Sequence, residues 1–294
     1  MPTETQTTSP TRTKLWWTPQ EMAALPTVYR PDLMKGHVAL VSGAGSGIGR
    51  TTAFLLARLG ADVMICGRNP DKLQQTASGI KDAFGTNVAL KSMTIRDPEQ
   101  VEQLIEECFQ KFGKLDTLIN NGGGQFPQNA IDFSIKGWNA VIDTNLNGTW
   151  YMMQSAAKAW QARQQTGNII NIVAAVERGL PQIAHACAAR AGVIYLSKSV
   201  AVEWAPLKIR VNCIAPGSIA TEGFAQYKEE SWGRFKDANV MRQFGEPWDI
   251  AEGVVYFSAA SGKFITGEML VIDGGQQMWG NLWPAGVPDY FNVV

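Results

Sequence analysis

The chain has 294 residues and carries 26 basic and 26 acidic side chains, so its formal net charge is zero. A neutral chain has no overall attraction to polyanions, which excludes nucleic acid as an expected partner and argues against an acidic membrane surface. With 45% hydrophobic and 18% charged residues, the sequence predicts a folded globule and not a disordered chain.

The N-terminus has no apolar signal core, and no uncharged apolar run approaches the roughly 18 residues of a membrane helix. The histidines, His37 and His185, lie far apart and have no cysteine beside them, so we expect no metal site. The cysteines show no C-x-x-C spacing, which favours a reducing compartment and a cytoplasmic protein. They are Cys66, Cys108, Cys187 and Cys213.

Residues 1–36 predict an N-terminal extension, because five prolines interrupt them and no hydrophobic period is sustained. Trp16 and Trp17 indicate that part of this extension packs on a surface, either of its own domain or of a neighbouring subunit. Residues 276–294 predict a C-terminal tail, in which Trp279, Trp283 and Tyr290 could join the substrate site or a subunit contact.

Residues 37–275 alternate short apolar runs with helical patterns. Strands are predicted at 37–42, 61–66, 87–93, 115–119, 168–173, 209–214 and 269–272. Helices are predicted at 50–59, from Asn69-Pro70 onward, from Asp97-Pro98 to Gly113, at 147–164 and at 185–205. Parallel strands need helical crossovers, so the fold class is α/β, a single doubly wound parallel sheet.

A glycine-rich loop, Gly43 to Gly49, follows the first predicted strand and opens the first helix. Its glycines allow the backbone to approach a pyrophosphate, and the helix start supplies free N–H groups with a partial positive charge. The spacing is G-x-x-x-G-x-G, and together with the strand and helix around it this loop predicts a dinucleotide site.

Gly67-Arg68 follows the second predicted strand, where an NAD-binding fold usually has an acidic residue for the ribose 2′-hydroxyl. Gly67 carries no carboxylate, and the Arg68 guanidinium suits a 2′-phosphate. We therefore expect NADP(H), with NAD(H) as the less favoured cofactor; a solvated loop charge is the alternative for Arg68.

Several motifs resemble the short-chain dehydrogenase/reductase family over residues 36–276. They are the glycine loop, Asn120-Asn121-Gly122-Gly123-Gly124, Asn145, Pro216-Gly217 with Thr221, Ile265-Thr266-Gly267 and Ile272-Asp273-Gly274-Gly275. Residues 120–126, 189–192 and 203–205 resemble the peroxisomal trans-2-enoyl-CoA reductase branch, with the 2,4-dienoyl-CoA reductases as more distant relatives.

This resemblance implies a Rossmann-type three-layer sandwich, a homotetramer or dimer, and hydride transfer to or from a nicotinamide. It also implies a set of cofactor-binding residues along the carboxyl ends of the strands. They are Gly43, Ser46, Gly47, Ile48, Gly49, Arg68, Ile95, Asn121, Gly122, Gly123, Pro216, Gly217, Ile219 and Thr221.

The catalytic helix departs from the family pattern of Tyr-x-x-x-Lys before an Ala-Gly pair. Ala191-Gly192 fixes the register, which places Ala186 at the tyrosine position and Arg190 at the lysine position. The serine position falls at Val173 or Ala174, so its hydroxyl is absent too. Of the family tetrad, Asn145 alone is unchanged.

Three residues remain as catalytic candidates: Asn145, His185 and Arg190. Asn145 could hold a water or backbone, or could cap a helix. Arg190 stays charged, so it could hold the cofactor ribose, stabilise an enolate, or form a structural ion pair. His185 adjoins the vacant tyrosine position and could transfer a proton, or could only pack.

Ala186 cannot give or take the proton that ketone or alcohol chemistry needs. Reduction of a conjugated C=C needs mainly donors for the carbonyl oxygen, so the sequence favours a reductase of an enoyl-CoA-like substrate. The alternatives are an alcohol or carbonyl dehydrogenase on a fatty or acyclic terpenoid substrate, and an NADP(H)-binding pseudoenzyme. Aromatic residues in the predicted lid favour an apolar chain: Phe224, Tyr227, Trp232, Phe235 and Phe244.

Overall fold

A computed structural model describes residues 17–227 and 232–278. The predictions made for residues 1–16 and 279–294, including those for Trp16, Trp279, Trp283 and Tyr290, lie outside the described residues. Within the described ranges, no helix is both long and apolar enough to cross a membrane.

Seven parallel strands form one sheet in the order β3-β2-β1-β4-β5-β6-β7. The strands are β1 (Val38–Ser42), β2 (Asp62–Gly67), β3 (Val88–Ser92), β4 (Thr117–Asn120), β5 (Gly167–Ile172), β6 (Ile209–Pro216) and β7 (Met269–Ile272). The register of β1 on β2 runs from Val38 opposite Asp62 to Ser42 opposite Cys66. The predicted α/β class with a single doubly wound parallel sheet is confirmed.

Helices cover both faces of the sheet, as parallel strands require. They are α1 (Pro19–Ala24), α2 (Gly47–Arg58), α3 (Pro70–Phe84), α4 (Pro98–Phe112), α5 (Ile135–Ile142), α6 (Gly148–Ala162), α7 (Ala184–Glu203), α8 (Trp232–Asp237) and α9 (Pro247–Ser258). One core cluster joins α2, α3 and α9 to the sheet, and another joins α4, α6 and α7 to the opposite face. The three layers are therefore helix, sheet and helix.

The capping residues of α3 and α4 act as the sequence predicts. The Asn69 side chain accepts from the Lys72 N–H at 3.0 Å, and the Asp97 side chain accepts from the Glu99 N–H at 3.0 Å. Gly113 ends α4 at φ +75°, a left-handed conformation that costs glycine little.

A short helix, α1, lies within the extension that showed no hydrophobic period. Thr18 and Glu21 form a reciprocal capping box at its start. Met22 is buried against the core, and the Trp17 ring lies 6.3 Å from that of Trp248. A helix of six residues is too short to display a period, and Trp17 packs on its own domain.

Candidate functional site

A cleft of about 850 Å³ opens at the carboxyl edge of the sheet. Parallel α/β sheets bind ligands at this edge, next to the point where strand order reverses, here between β1 and β4. Its walls come from the start of α2, the segments that follow β4, β5 and β6, and a lid, of which the structure describes residues 221–227 and 232–238.

The glycine loop packs directly on the segment after β4. Gly43 has φ +67°, and a Cβ there would stand 2.9 Å from the Asn121 Nδ2. The Ser42 Oγ accepts from the N–H groups of Asn121 at 3.1 Å and Gly122 at 2.9 Å. A Cβ on Gly49 would also collide with Asn121. These close approaches explain the glycines without a ligand and leave the start of α2 facing the cleft.

The start of α2 offers the groups that a dinucleotide phosphate needs. Ser46 is its N-cap residue, yet its hydroxyl makes no capping hydrogen bond, and Ile48 lines the cleft. The Gly47 N–H already donates to the Glu222 carboxylate at 2.9 Å. A carboxylate at this helix end occupies the kind of position that favours an anion.

The remaining residues predicted to bind cofactor fall into three groups. Arg68 is exposed at the end of β2, whereas Ile95 is buried. A Cβ on Gly122 would stand 3.2 Å from the Ile95 side chain, so Ile95 packs against the segment after β4. The residues of the segment after β6 line the cleft directly: Pro216, Gly217, Ile219 and Thr221.

Asn145 lies in a wide helical turn, the π-helix Asp143–Asn147, between α5 and α6. Its Oδ1 accepts from the Gly124 N–H at 2.9 Å, and its Nδ2 donates to the Gly124 carbonyl at 3.0 Å. The side chain is 1% exposed. Asn145 therefore fixes the backbone after β4, in a type of turn that is frequent at functional sites.

Arg190 extends from α7 to the floor of the cleft. Its guanidinium lies against Gly123, and a Cβ at that position would collide with it. Its Nη1 is buried without a hydrogen-bond partner, and no carboxylate in the described ranges pairs with it. Burial lowers the pKa of Arg190 to about 10, so the side chain remains a cation at neutral pH. An unpaired cation on a cleft floor is suited to an anionic ligand or to a developing oxyanion.

His185 lies outside the cleft lining, in an aromatic cluster formed with Phe126 and Phe133. It is fully buried, and its Nδ1 accepts from the Ala186 N–H at 2.8 Å. Its Nε2 is buried without a hydrogen-bond partner. Burial lowers the pKa of His185 below its ordinary value.

The positions of the missing family residues are apolar. Val173 and Ala174 line the cleft, and Ala186 packs with Val141 and Ile183. Tyr195, further along α7, is 70% exposed, so it does not replace the tyrosine.

Lid residues form an aromatic cluster and contribute polar groups that the sequence analysis missed. Phe224 packs on Phe235 and Phe244 at 5.0 and 4.9 Å between ring centroids. The Gln125 Nε2 donates to the Tyr227 hydroxyl at 3.1 Å, and Glu222 and Arg234 also line the cleft. The lid's aromatic content signalled an apolar wall but did not single out the Tyr227 hydroxyl.

Residues 43–277 match the family described as enoyl-(acyl carrier protein) reductase. The chain belongs to the short-chain dehydrogenase/reductase family and is an oxidoreductase of that family. The sheet order and the glycine loop agree with this family membership.

Similar proteins include a probable 2,4-dienoyl-CoA reductase of Bacillus subtilis, 35% identical over 85% of this chain and 100% of the relative. A peroxisomal 2,4-dienoyl-CoA reductase of Saccharomyces cerevisiae is 35% identical over 85% of this chain and 87% of the relative. Among solved structures, a citronellol catabolism dehydrogenase of Pseudomonas aeruginosa has a TM-score of 0.77 and 31% identity, covering 86% and 100% of the two chains. Both relatives are dienoyl-CoA reductases, the second of the two groups that the motifs resemble.

Proposed function

We propose that the protein is an NADP(H)-dependent reductase of a conjugated C=C in an enoyl-CoA-like substrate with an apolar chain. The observation that carries this proposal is the unpaired Arg190 cation on the cleft floor, with alanine at the family's tyrosine position. The cleft thus has a group for a developing oxyanion but lacks the acid–base pair of a ketone reductase.

The residues present fit a nicotinamide dinucleotide. The N-terminus of α2 faces the cleft through Ile48, the Ser46 hydroxyl beside it makes no capping bond, and Gly123 and Gly124 line the opposite wall without side chains. Arg68, exposed beyond β2, would hold a ribose 2′-phosphate, which supports NADP(H) over NAD(H).

When bound, this cofactor supplies hydride. The chain's own part is to place the substrate carbonyl near the Arg190 guanidinium, so that charge moving onto the oxygen meets a fixed cation. Asn145 keeps the segment after β4 in place through its two bonds to Gly124, and this segment in turn lies against Arg190. A rigid arrangement of this kind stabilises charge without reorganisation during the reaction.

Substrate class follows from the cleft walls and from the relatives. Ile172, Val173, Leu180, Phe224 and Phe235 give the cleft an apolar side that suits an acyl chain. The similar proteins named above reduce dienoyl-CoA substrates by their names, which supports a thioester over a sugar.

The test pairs a cofactor titration with a turnover panel on the full chain. NADPH and NADH affinities are measured by fluorescence, and NADPH consumption is followed with trans-2-enoyl-CoA, 2,4-dienoyl-CoA, ketone and alcohol substrates. We expect NADPH to bind more tightly and only the conjugated thioesters to react. Tight NADPH binding without turnover on any substrate would leave the pseudoenzyme as the answer.

The second candidate, a dehydrogenase of an acyclic terpenoid or fatty alcohol, draws support from the likeness to the citronellol catabolism dehydrogenase. Ala186, Val173 and Ala174 count against it, because alcohol oxidation needs a base at those positions. Oxidation of citronellol with NADP⁺, and inactivity on thioesters, would select it. The family resemblance also supports a homodimer or homotetramer, which light scattering would measure.

A further inference from the structure

Few side chains in the cleft can give up a proton. Among the described residues that line it, the ionisable ones are Arg190, Glu222, Tyr227 and Arg234. The arginines hold their protons at any working pH, and the Glu222 carboxylate already accepts from the Gly47 N–H. Tyr227 is the remaining group, and His185 lies outside the lining.

The Tyr227 hydroxyl is held in a defined direction. The Gln125 amide nitrogen can only donate, so the phenol oxygen accepts in their 3.1 Å hydrogen bond. The proton of Tyr227 itself is therefore left for another acceptor. An edge contact with Phe235 at 5.0 Å and a tilted contact with Phe224 at 5.8 Å between ring centroids keep the ring in place.

The segment Gly123–Gln125 contacts Arg190 at one end and Tyr227 at the other, so both side chains lie along the same wall of the cleft. Gly123 lies against the Arg190 guanidinium, Gly124 is bound at both ends by Asn145, and Gln125 follows immediately. A substrate whose carbonyl faces Arg190 would thus extend along the segment that carries Gln125 toward the lid.

We propose that Tyr227, positioned by Gln125, is the proton donor that completes reduction of the conjugated C=C. This inference rests on the proposed function. Hydride from the reduced nicotinamide dinucleotide forms a new C–H bond at the β-carbon, and the displaced π electrons move onto the carbonyl oxygen as an enolate beside Arg190. The C=O bond then re-forms as the α-carbon takes the Tyr227 proton, which breaks the phenol O–H bond. The phenolate regains a proton from water.

Tyr227→Phe and the control Tyr195→Phe test this role in the full chain, with trans-2-decenoyl-CoA and 2,4-decadienoyl-CoA as probes. Tyr227→Phe removes one oxygen and should lower kcat roughly 100-fold or more, the usual effect of a lost general acid. Its Kd for NADPH and its melting temperature should match those of the parent. Tyr195 is exposed outside the cleft, so Tyr195→Phe should retain full kcat.

Gln125→Glu gives a second, independent variant. An ionised carboxylate can only accept, so it would bind the Tyr227 proton and withhold it from the substrate. We expect kcat to fall while Tyr227 itself is intact, and to recover as the introduced carboxylate is protonated at low pH. The double variant Gln125→Glu/Tyr227→Phe should lose this pH-dependent recovery.

The outcomes separate the two proposals. If the parent reduces the thioesters and Tyr227→Phe has the parental kcat, the inference is wrong and the proposed function stands. A loss of kcat accompanied by an equal loss of NADPH affinity or by partial unfolding would assign Tyr227 to packing and also overturn the inference. If the parent reduces neither thioester, the proposed function fails and this inference fails with it.

Discussion

The Glu222 carboxylate accepts a hydrogen bond of 2.9 Å from the Gly47 N–H, which joins the lid to the first residue of α2. The contact places a negative charge at the positive end of that helix. The same carboxylate acts on Arg50, one turn into α2. Burial lowers the pKa of Arg50, and the negative charge of Glu222 partly offsets that lowering. An anion bound at this helix end would lie close to this negative charge.

Glu222→Gln should therefore tighten NADPH binding. Glutamine keeps an oxygen that accepts from Gly47 but removes the charge that repels phosphate. A charge at a helix end contributes about 0.3–1 kcal/mol, which corresponds to a roughly two- to fivefold lower Kd. Fluorescence titration at low ionic strength measures it. Glu177→Gln, at an exposed carboxylate outside the cleft lining, is the control and should leave Kd unchanged; weaker binding by Glu222→Gln would show that the carboxylate assists the cofactor.

Arg68→Ala should weaken NADPH binding and spare NADH binding. Arg68 would make charge-assisted bonds to the 2′-phosphate, worth about 1.5–3 kcal/mol, so the Kd for NADPH should rise at least roughly tenfold. The Kd for NADH should stay within about twofold of the parent. Arg178→Ala, another exposed loop arginine, serves as the matched control. Equal loss for both cofactors would contradict a 2′-phosphate site.

Arg190→Met should abolish most turnover without destabilising the fold. Removing an oxyanion donor costs about 10²–10³ in kcat. Because the Nη1 of Arg190 is buried and unpartnered, methionine removes an unfavourable buried charge, and the melting temperature should hold or rise. Arg190→Lys restores the family's residue and should keep part of the activity. Parental turnover by Arg190→Met would remove this residue from the site.

His185→Leu should leave kcat within about twofold of the parent, because His185 lies outside the cleft lining. Burial lowers its pKa, so below about pH 6.5 the unfolded chain binds protons that the folded state rejects. The free energy of unfolding then falls as pH falls, and the leucine variant should lose less of it. Urea unfolding at pH 8 and pH 5.5 measures this difference, with His37→Gln as the comparison, since burial also lowers the His37 pKa. A tenfold loss of kcat would restore His185 as a proton-transfer residue.

Local signals in the sequence predicted the strands of the sheet and the N-terminal caps of two helices. The strand at 269–272 matches β7, and Asn69 and Asp97 cap their helices as expected. Helices α1, α5, α8 and α9 escaped prediction. The helix predicted at 147–164 corresponds to α6 (Gly148–Ala162), and the wide turn Asp143–Asn147 before it was not predicted.

The contacts that shape the site join residues distant in sequence, and such contacts leave no local pattern. Glu222 meets Gly47 across 175 positions, and Tyr227 meets Gln125 across 102. Asn145 stood out as a family residue, but its two-point bond to Gly124 depends on a turn that only the folded backbone displays.

The wide turn at Asp143–Asn147 has a geometric consequence for the two helices that it joins. Its hydrogen bonds span one residue more than those of an α-helix, and one residue corresponds to about 100° of rotation. The turn thus rotates the side chains of α6 by about 100° relative to those of α5, compared with one continuous α-helix. Deleting one residue here would restore the regular helical phase, turn Asn145 away from Gly124, and release the segment that lies beside Arg190, while both helices could keep their own cores.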